Sequence, residues 1–163
     1  MTKNIIIKTS VQKRFDSFMA HGRAFFFSAP CGFGKTAVAE ALLSSREVLR
    51  LSADSAGFKL PSAEADWQIL LLDDLQDMQE DQDWNALCEL IRACPERRFV
   101  LLSRGTPPGS LMAFQYTGLM TVLEADDLLF DAGDVRRLFQ LSGVNVTDSE
   151  IDGILKESLG YPL

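Results

Sequence analysis

The chain has few of the residues that build covalent or metal-held scaffolds. It contains one histidine, His21, and three cysteines, Cys31, Cys88 and Cys94. An odd number of cysteines with no CxxC pair suggests a reducing compartment and no disulfide framework. A lone imidazole and scattered thiols leave too few soft ligands for a zinc site, and Cys88 and Cys94 are expected to pack rather than react. Long apolar runs are missing as well. None approaches the ~20 residues of a membrane span, and Ile5-Ile6-Ile7 is too short for a signal-peptide core. A cytoplasmic protein without a membrane partner is the expectation. Positive charge is also scarce. Sixteen Lys and Arg stand against 23 Asp and Glu, a net charge of −7. That excludes a nucleic-acid-binding module built on a basic surface; a DNA partner would be reached only through a domain outside this sequence. Internal repeats and low-complexity segments are absent.

What remains is a chain of 163 residues, 47% apolar and 24% charged, enough for a soluble domain with its own core. It is organised around Ala29-Pro30-Cys31-Gly32-Phe33-Gly34-Lys35-Thr36. An apolar run, Ala24-Phe25-Phe26-Phe27, precedes this stretch, and a helix-like run from Ala37 to Leu43 follows it. Strand, glycine-rich turn, Gly-Lys-Thr and helix is the context of a phosphate-binding P-loop. In such a loop backbone N–H groups and the helix N-terminus bind phosphate oxygens. Lys35 would reach the outer phosphates and the Thr36 hydroxyl would ligate Mg2+. One position departs from GxxxxGK[ST]: Ala29 stands where the first glycine is expected, a small residue that still lets the backbone turn.

The second informative stretch is Ile69-Leu70-Leu71-Leu72-Asp73-Asp74. Four apolar residues and two carboxylates make a Walker B pattern, a buried strand delivering Asp73 at its C-terminal end, where open α/β sheets bind ligands. Asp73 is the candidate metal ligand with Thr36. Asp74 is the candidate base or water-orienting group, and with Lys35 makes the candidate catalytic pair. A third apolar run, Phe99 to Leu102, ends in Ser103-Arg104. Arg104 would read a γ-phosphate by a bidentate contact, or else pair with a surface carboxylate.

Apolar periodicity predicts helices over 11–20, closed by Gly22, over 35–45 and over 83–94, closed by Pro95. A segment lying before the first core strand would put Val11, Arg14 or Phe15 near an adenine; a helix packed on the sheet edge explains the same pattern. A strand is expected at 48–51, with no place assigned to it in the sheet. The connection 53–65 is short for a crossover helix. A charged loop covers 76–82, a rigid turn 105–109, a short helix 110–116 and a last strand 120–123. Beyond Glu124 the acidic residues Glu124, Asp126, Asp127, Asp131 and Asp134 crowd together. Two helices follow, the second opened by a Thr147-x-x-Glu150 capping box. Fold class is therefore α/β, a P-loop NTPase parallel sheet flanked by helices. Its nucleotide-binding core is expected at 1–124, and the start of a small helical lid at 125–163, with the chain forming part of a longer protein.

The order of these motifs resembles the STAND class of P-loop NTPases, and in particular the N-terminal ATPase domain of MalT-like LuxR-type transcriptional regulators. The loop Ala29 to Thr36 matches theirs, alanine included. Ser103-Arg104 with Pro107-Pro108 resembles their sensor strand and proline turn. Leu128 and Phe130 match a Leu-x-Phe before a helix, and Gly160-Tyr161-Pro162 is similar to their Gly-Trp-Pro. The resemblance implies ATP or ADP with Mg2+ as ligands, residues 29–36, Arg104 and Pro162 as nucleotide contacts, and Pro162 reaching the nucleotide from the lid. It further implies slow hydrolysis, control of self-association by ATP, and an output domain elsewhere. The segment before Asp73 is shorter than in that family. A DnaA-like AAA+ ATPase would suit Leu72-Asp73-Asp74-Leu75-Gln76 and Pro107-Pro108. That class needs an arginine after the sensor strand, and residues 105–135 contain no Lys or Arg. A small-molecule kinase would need an Arg-rich lid, for which Arg136-Arg137 is the one downstream pair. A non-hydrolysing binding module is the remaining alternative.

Overall fold

Strand β1 (Ala24–Ser28) is buried at every position, and its three consecutive phenylalanines suit a strand inside the sheet rather than at its edge. Alternate side chains of a strand point to opposite faces. Phe25 and Phe27 enter one hydrophobic layer and Phe26 the other. Such a strand needs cover on both sides, as parallel sheets provide. The computed structural model describes residues 5–78 and 81–162. Met1 to Asn4, Gln79 and Glu80 of the expected charged loop, and Leu163 of the expected C-terminal segment lie outside the described residues.

Five parallel strands form one sheet in the order β2-β3-β4-β1-β5, with β2 (Leu49–Ser52), β3 (Ile69–Asp73), β4 (Arg98–Ser103) and β5 (Met120–Glu124). The expected strand at 48–51 is thus the edge strand beside β3, with Leu51 opposite Leu72. No helix bridges β2 and β3. The irregular segment 53–68 is instead pinned by Trp67, whose indole N–H donates to Ser62 O at 3.1 Å. The Arg97 guanidinium lies 4.3 Å from the Trp67 ring.

One face of the sheet carries α1 (Thr9–His21), α2 (Lys35–Leu42) and the short α5 (Ala125–Leu128). Phe15 and Phe18 of α1 meet Phe25 at ring distances of 5.4 and 5.2 Å. The other face carries α3 (Asp81–Ala93) and α4 (Gly109–Tyr116), with Leu87, Ile91 and Leu111 against Phe26, Leu70 and Leu101. Cys88 and Cys94 are buried in this layer, and burial pushes the Cys88 thiol pKa up, so both pack as small hydrophobes. The helix expected at 35–45 ends at Leu42, where a turn leads toward β2.

The acidic crowding after Glu124 resolves into caps. Glu124 pairs with Asp127 at the start of α5, and Asp131 with Asp134 at the start of α6 (Ala132–Leu141). Thr147 and Glu150 form the expected box at α7 (Asp148–Ser158). Each uses backbone N–H groups that a helix start leaves without partners. The Asp131 carboxylate accepts from Asp134 N at 2.9 Å. Chiefly through that backbone bond, its pKa falls below the ordinary 3.8. Asp131→Ala is therefore expected to lower stability by about 1 kcal/mol at neutral pH. A depressed carboxyl pKa stabilises above the unfolded value and is lost as pH falls through the folded one. The difference between variant and parent in urea titrations should accordingly close below pH 3.8.

Candidate functional site

The C-terminal ends of β1, β4 and β3 lie side by side, and the loop after β1 crosses in front of them. Gly32 and Gly34 shape that loop. Their φ angles are +89° and +73°, and nothing lies within 4 Å of where a Cβ would stand. A side chain there would be strained and would fill the concavity. Ala29, in the place of the first glycine, is buried beside the Phe27 layer. Gly34 is the N-cap of α2, so Lys35 and Thr36 open the helix.

Lys35 is buried, and its Nζ donates to Ala29 O at 2.6 Å and Pro30 O at 2.9 Å. Burial lowers its pKa from 10.5, while the charges of Asp73 and Cys31 pull the other way. The Thr36 hydroxyl donates to Asp73 Oδ2 at 2.8 Å. Asp73 Oδ1 accepts the Asp74 N–H at 2.7 Å. Asp74 has a φ of +55°, the left-handed region that non-glycine residues rarely adopt, and leads into a 3-10 turn, Leu75–Asp77. Its Oδ2 lies 3.0 Å from the Ser52 hydroxyl of β2, and its Oδ1 lies 3.0 Å from Gln76 Nε2 and 4.0 Å from an Arg104 guanidinium nitrogen.

These groups surround a cleft of about 400 Å³ lined by Cys31, Gly32, Gly34, Lys35, Thr36, Ala37, Asp73, Asp74, Gln76 and Arg104. A second cavity of about 250 Å³ adjoins it, sharing Gly32, Gly34 and Ala37. That one is mostly apolar, lined by Ile5, Ile6, Val11, Phe33, Val38, Leu128, Phe130, Leu138 and Pro162, with Lys8 as its charged member. Pro162 thus stands beside the loop, and the Tyr161 ring lies 4.4 Å from that of Phe33.

The sequence-derived candidates separate accordingly. Cys31, Gly32, Gly34, Lys35, Thr36, Asp73, Asp74 and Arg104 meet at the polar cleft, with Ala29 and Pro30 supplying carbonyls to Lys35. Phe33 and Pro162 line the apolar cavity. Of the three residues considered for an adenine, Val11 reaches that cavity. Arg14 instead pairs with Asp127 at 3.0 Å, and Phe15 is buried in the phenylalanine layer. Arg104 does find a carboxylate, but it is Asp74 of the cleft. Ser52, Gln76, Ile5, Ile6 and Lys8 were not singled out as site residues. Ile5 and Ile6 carry a signal, the apolar run Ile5-Ile6-Ile7 just before α1, and Gln76 closes the Leu72–Gln76 stretch that suits a DnaA-like ATPase, although nothing in that stretch assigns it a partner.

The donor set fits a Mg2+-bound polyphosphate. Thr36 and Asp73 offer hard oxygen donors 2.8 Å apart. Among the described residues no group of three or more His, Cys, Asp or Glu could hold a cation alone. A metal here would therefore draw further oxygens from phosphate and water, as Mg2+ commonly does.

No family model matches the sequence, and comparison with curated proteins finds no match. Solved structures do resemble it. A Walker-type ATPase of Pyrococcus abyssi aligns with 99% of this chain at a TM-score of 0.62 and 13% identity. A DNA replication initiation factor aligns with 94% at 0.57 and 16% identity. A STAND protein (Signal Transduction ATPase with Numerous Domains) with a tetratricopeptide repeat sensor, from Pyrococcus horikoshii, aligns with 98% at 0.62 and 10% identity. The chain spans 65%, 58% and 29% of those three chains. The likeness establishes the fold, a helix-flanked five-stranded parallel sheet of the P-loop ATPase type.

Proposed function

We propose that this chain binds ATP or ADP with Mg2+ and serves as a slowly hydrolysing, nucleotide-controlled regulatory switch. The observation that carries the reading is the Thr36–Asp73 bond at 2.8 Å in a cleft also holding Lys35 and Arg104. In it Lys35 and the loop amides would hold the outer phosphates, Thr36 and Asp73 the cation, and Arg104 the terminal phosphate. The cation, when bound, would neutralise developing phosphate charge. Asp74 would orient the attacking water and accept its proton. The adjoining apolar cavity suits a base, with Val11 and Phe33 against its faces and Pro162 at its edge.

Residues 125–162 are read as the lid. Helices α6 and α7 pack as a pair, and Gly160 O accepts Phe130 N at 2.7 Å. Lys8 donates to Leu129 O and pairs with the buried Asp134 at 3.5 Å, tying the segment before α1 to the start of α6. A switch needs contacts that differ between its states, and these lie next to the nucleotide cavity. The resemblance to MalT-like regulators supports an output in transcription through a domain outside this sequence, with self-association on ATP binding. A second reading, a DnaA-like AAA+ ATPase, is favoured by the likeness to a replication initiation factor across nearly the whole chain. The missing Lys or Arg in 105–135 counts against it. The kinase reading loses its basic pair: Arg136 binds Asp148, and Arg137 lies by Ile7 and Thr9, away from the cleft.

The test is the metal dependence of binding. ATP affinity of the parent chain should rise in Mg2+, and Asp73→Asn should remove most of that rise, about tenfold. Equal Mg2+ dependence in both proteins, by calorimetry, would count against the assignment.

A further inference from the structure

We infer that Gln76 is a positioning residue that ties the Asp74 carboxylate to the Arg104 end of β4, so that both sides of the cleft respond together to the outermost phosphate. This rests on the nucleotide-binding reading above. The β3–β4 ladder has its last paired residues at Leu72 and Leu101. Asp73, Asp74 and Arg104 lie beyond it, where strand pairing no longer fixes their spacing. One side chain spans the gap. Gln76 Nε2 donates to Asp74 Oδ1 at 3.0 Å, and Gln76 Oε1 accepts the Arg104 backbone N–H at 3.1 Å.

An amide is suited to the task because it offers a donor and an acceptor on one carbon. The orientation is dictated by its neighbours: reversed, it would aim an oxygen at a carboxylate and an NH2 at an N–H. Neither Glu nor Lys meets both demands. The turn that brings Gln76 there begins at Asp74 itself, whose φ of +55° directs the chain into residues 75–77. A guanidinium nitrogen of Arg104 lies 4.0 Å from the same Oδ1, beyond hydrogen-bond range. The guanidinium is therefore free to leave Asp74 for a phosphate while its backbone N–H stays anchored on Gln76. When a phosphate draws the guanidinium away, Asp74 loses its cationic neighbour but keeps its place on Gln76, so the carboxylate's surroundings change without its position being lost.

The experiment compares the full chain with Gln76→Met, which keeps the length and removes the amide, and Gln76→Glu, which keeps an acceptor for Arg104 N–H and loses the donor. Binding of Mg-ADP and of a non-hydrolysable Mg-ATP analogue is measured by calorimetry, and turnover of ATP is measured alongside. Both variants should hold ADP within about twofold of the parent, and lose about tenfold of the preference for the analogue over ADP. Their kcat should fall about tenfold, with KM little changed. A residue that merely supports the fold would weaken both nucleotides alike and lower the melting temperature. The inference is overturned if both variants keep the parent's analogue-to-ADP ratio and kcat, or if the parent shows no such preference. Failure of the parent to bind any nucleotide overturns the proposed function and this inference with it. Parental binding with unaltered Gln76 variants overturns the inference alone.

Discussion

Lys35→Ala should weaken ATP and ADP binding by about 100-fold, with no loss of thermal stability. The first half follows from geometry. Lys35 lines the cleft with Thr36 and Asp73, its Nζ 2.6 and 2.9 Å from the carbonyls of Ala29 and Pro30. A buried ammonium bonded to phosphate is among the stronger single contacts a side chain makes, about 1.5–3 kcal/mol, and removing it also leaves phosphate charge uncompensated. The second half follows from its titration. Burial is the largest influence on Lys35 and works against its charged form. Desolvation of the ammonium offsets what its bonds to the Ala29 and Pro30 carbonyls contribute, so little net stability is at stake. Titration with a fluorescent nucleotide, beside a melting curve for each protein, checks both halves. Equal affinities would defeat the phosphate-binding reading of the loop.

The largest effect on folding should come from Phe25→Ala, about 3–5 kcal/mol. Phe25 is fully buried on an interior strand, between the rings of Phe15, Phe18 and Phe27 at 5.4, 5.2 and 5.3 Å. Truncation removes a ring's apolar area and its edge contacts, and leaves a cavity that paired strands on both sides cannot close. A domain's whole stability is about 5–15 kcal/mol, so this variant stands near the threshold of unfolding. Tyr116→Ala, at a ring 81% exposed, is the control and should change stability by no more than about 0.5 kcal/mol. Urea unfolding followed by tryptophan fluorescence separates the two, and a Phe25 variant within 1 kcal/mol of its parent would contradict the packing argument.

Much of this was legible in the residues because the chemistry is local. Ala29 to Thr36 places strand end, turn and helix start within eight positions, and each residue type has one backbone role there. Asp73 and Asp74 end an apolar run, so their place at the sheet's binding edge follows from strand burial alone. Other features depended on distant partners. The four residues of β2, three half-buried and Arg50 exposed, are too few to show a period, so nothing in them identifies β3 as the neighbour. The Thr147 cap was readable because Thr-x-x-Glu is a familiar pairing. Glu124 with Asp127 and Asp131 with Asp134 use the same geometry, but two acids three apart look like mere charge, and the four-residue α5 that Glu124 and Asp127 open is too short to show a helical period. Gln76 stands in a readable motif, but its partner, the Arg104 backbone beyond the last rung of the β3–β4 ladder, is set by the fold alone.

The contact between Phe33 and Tyr161 bears on how related chains can drift. Phe33 stands between two glycines whose backbone freedom gives the loop its shape, and its ring rests on a residue more than a hundred positions downstream. A smaller residue at 161 would uncover the buried Phe33 ring, and a smaller one at 33 would leave the half-exposed Tyr161 ring without its partner. The two positions should therefore change size in concert, and a descendant that abandons one aromatic should be found to have abandoned or enlarged its counterpart.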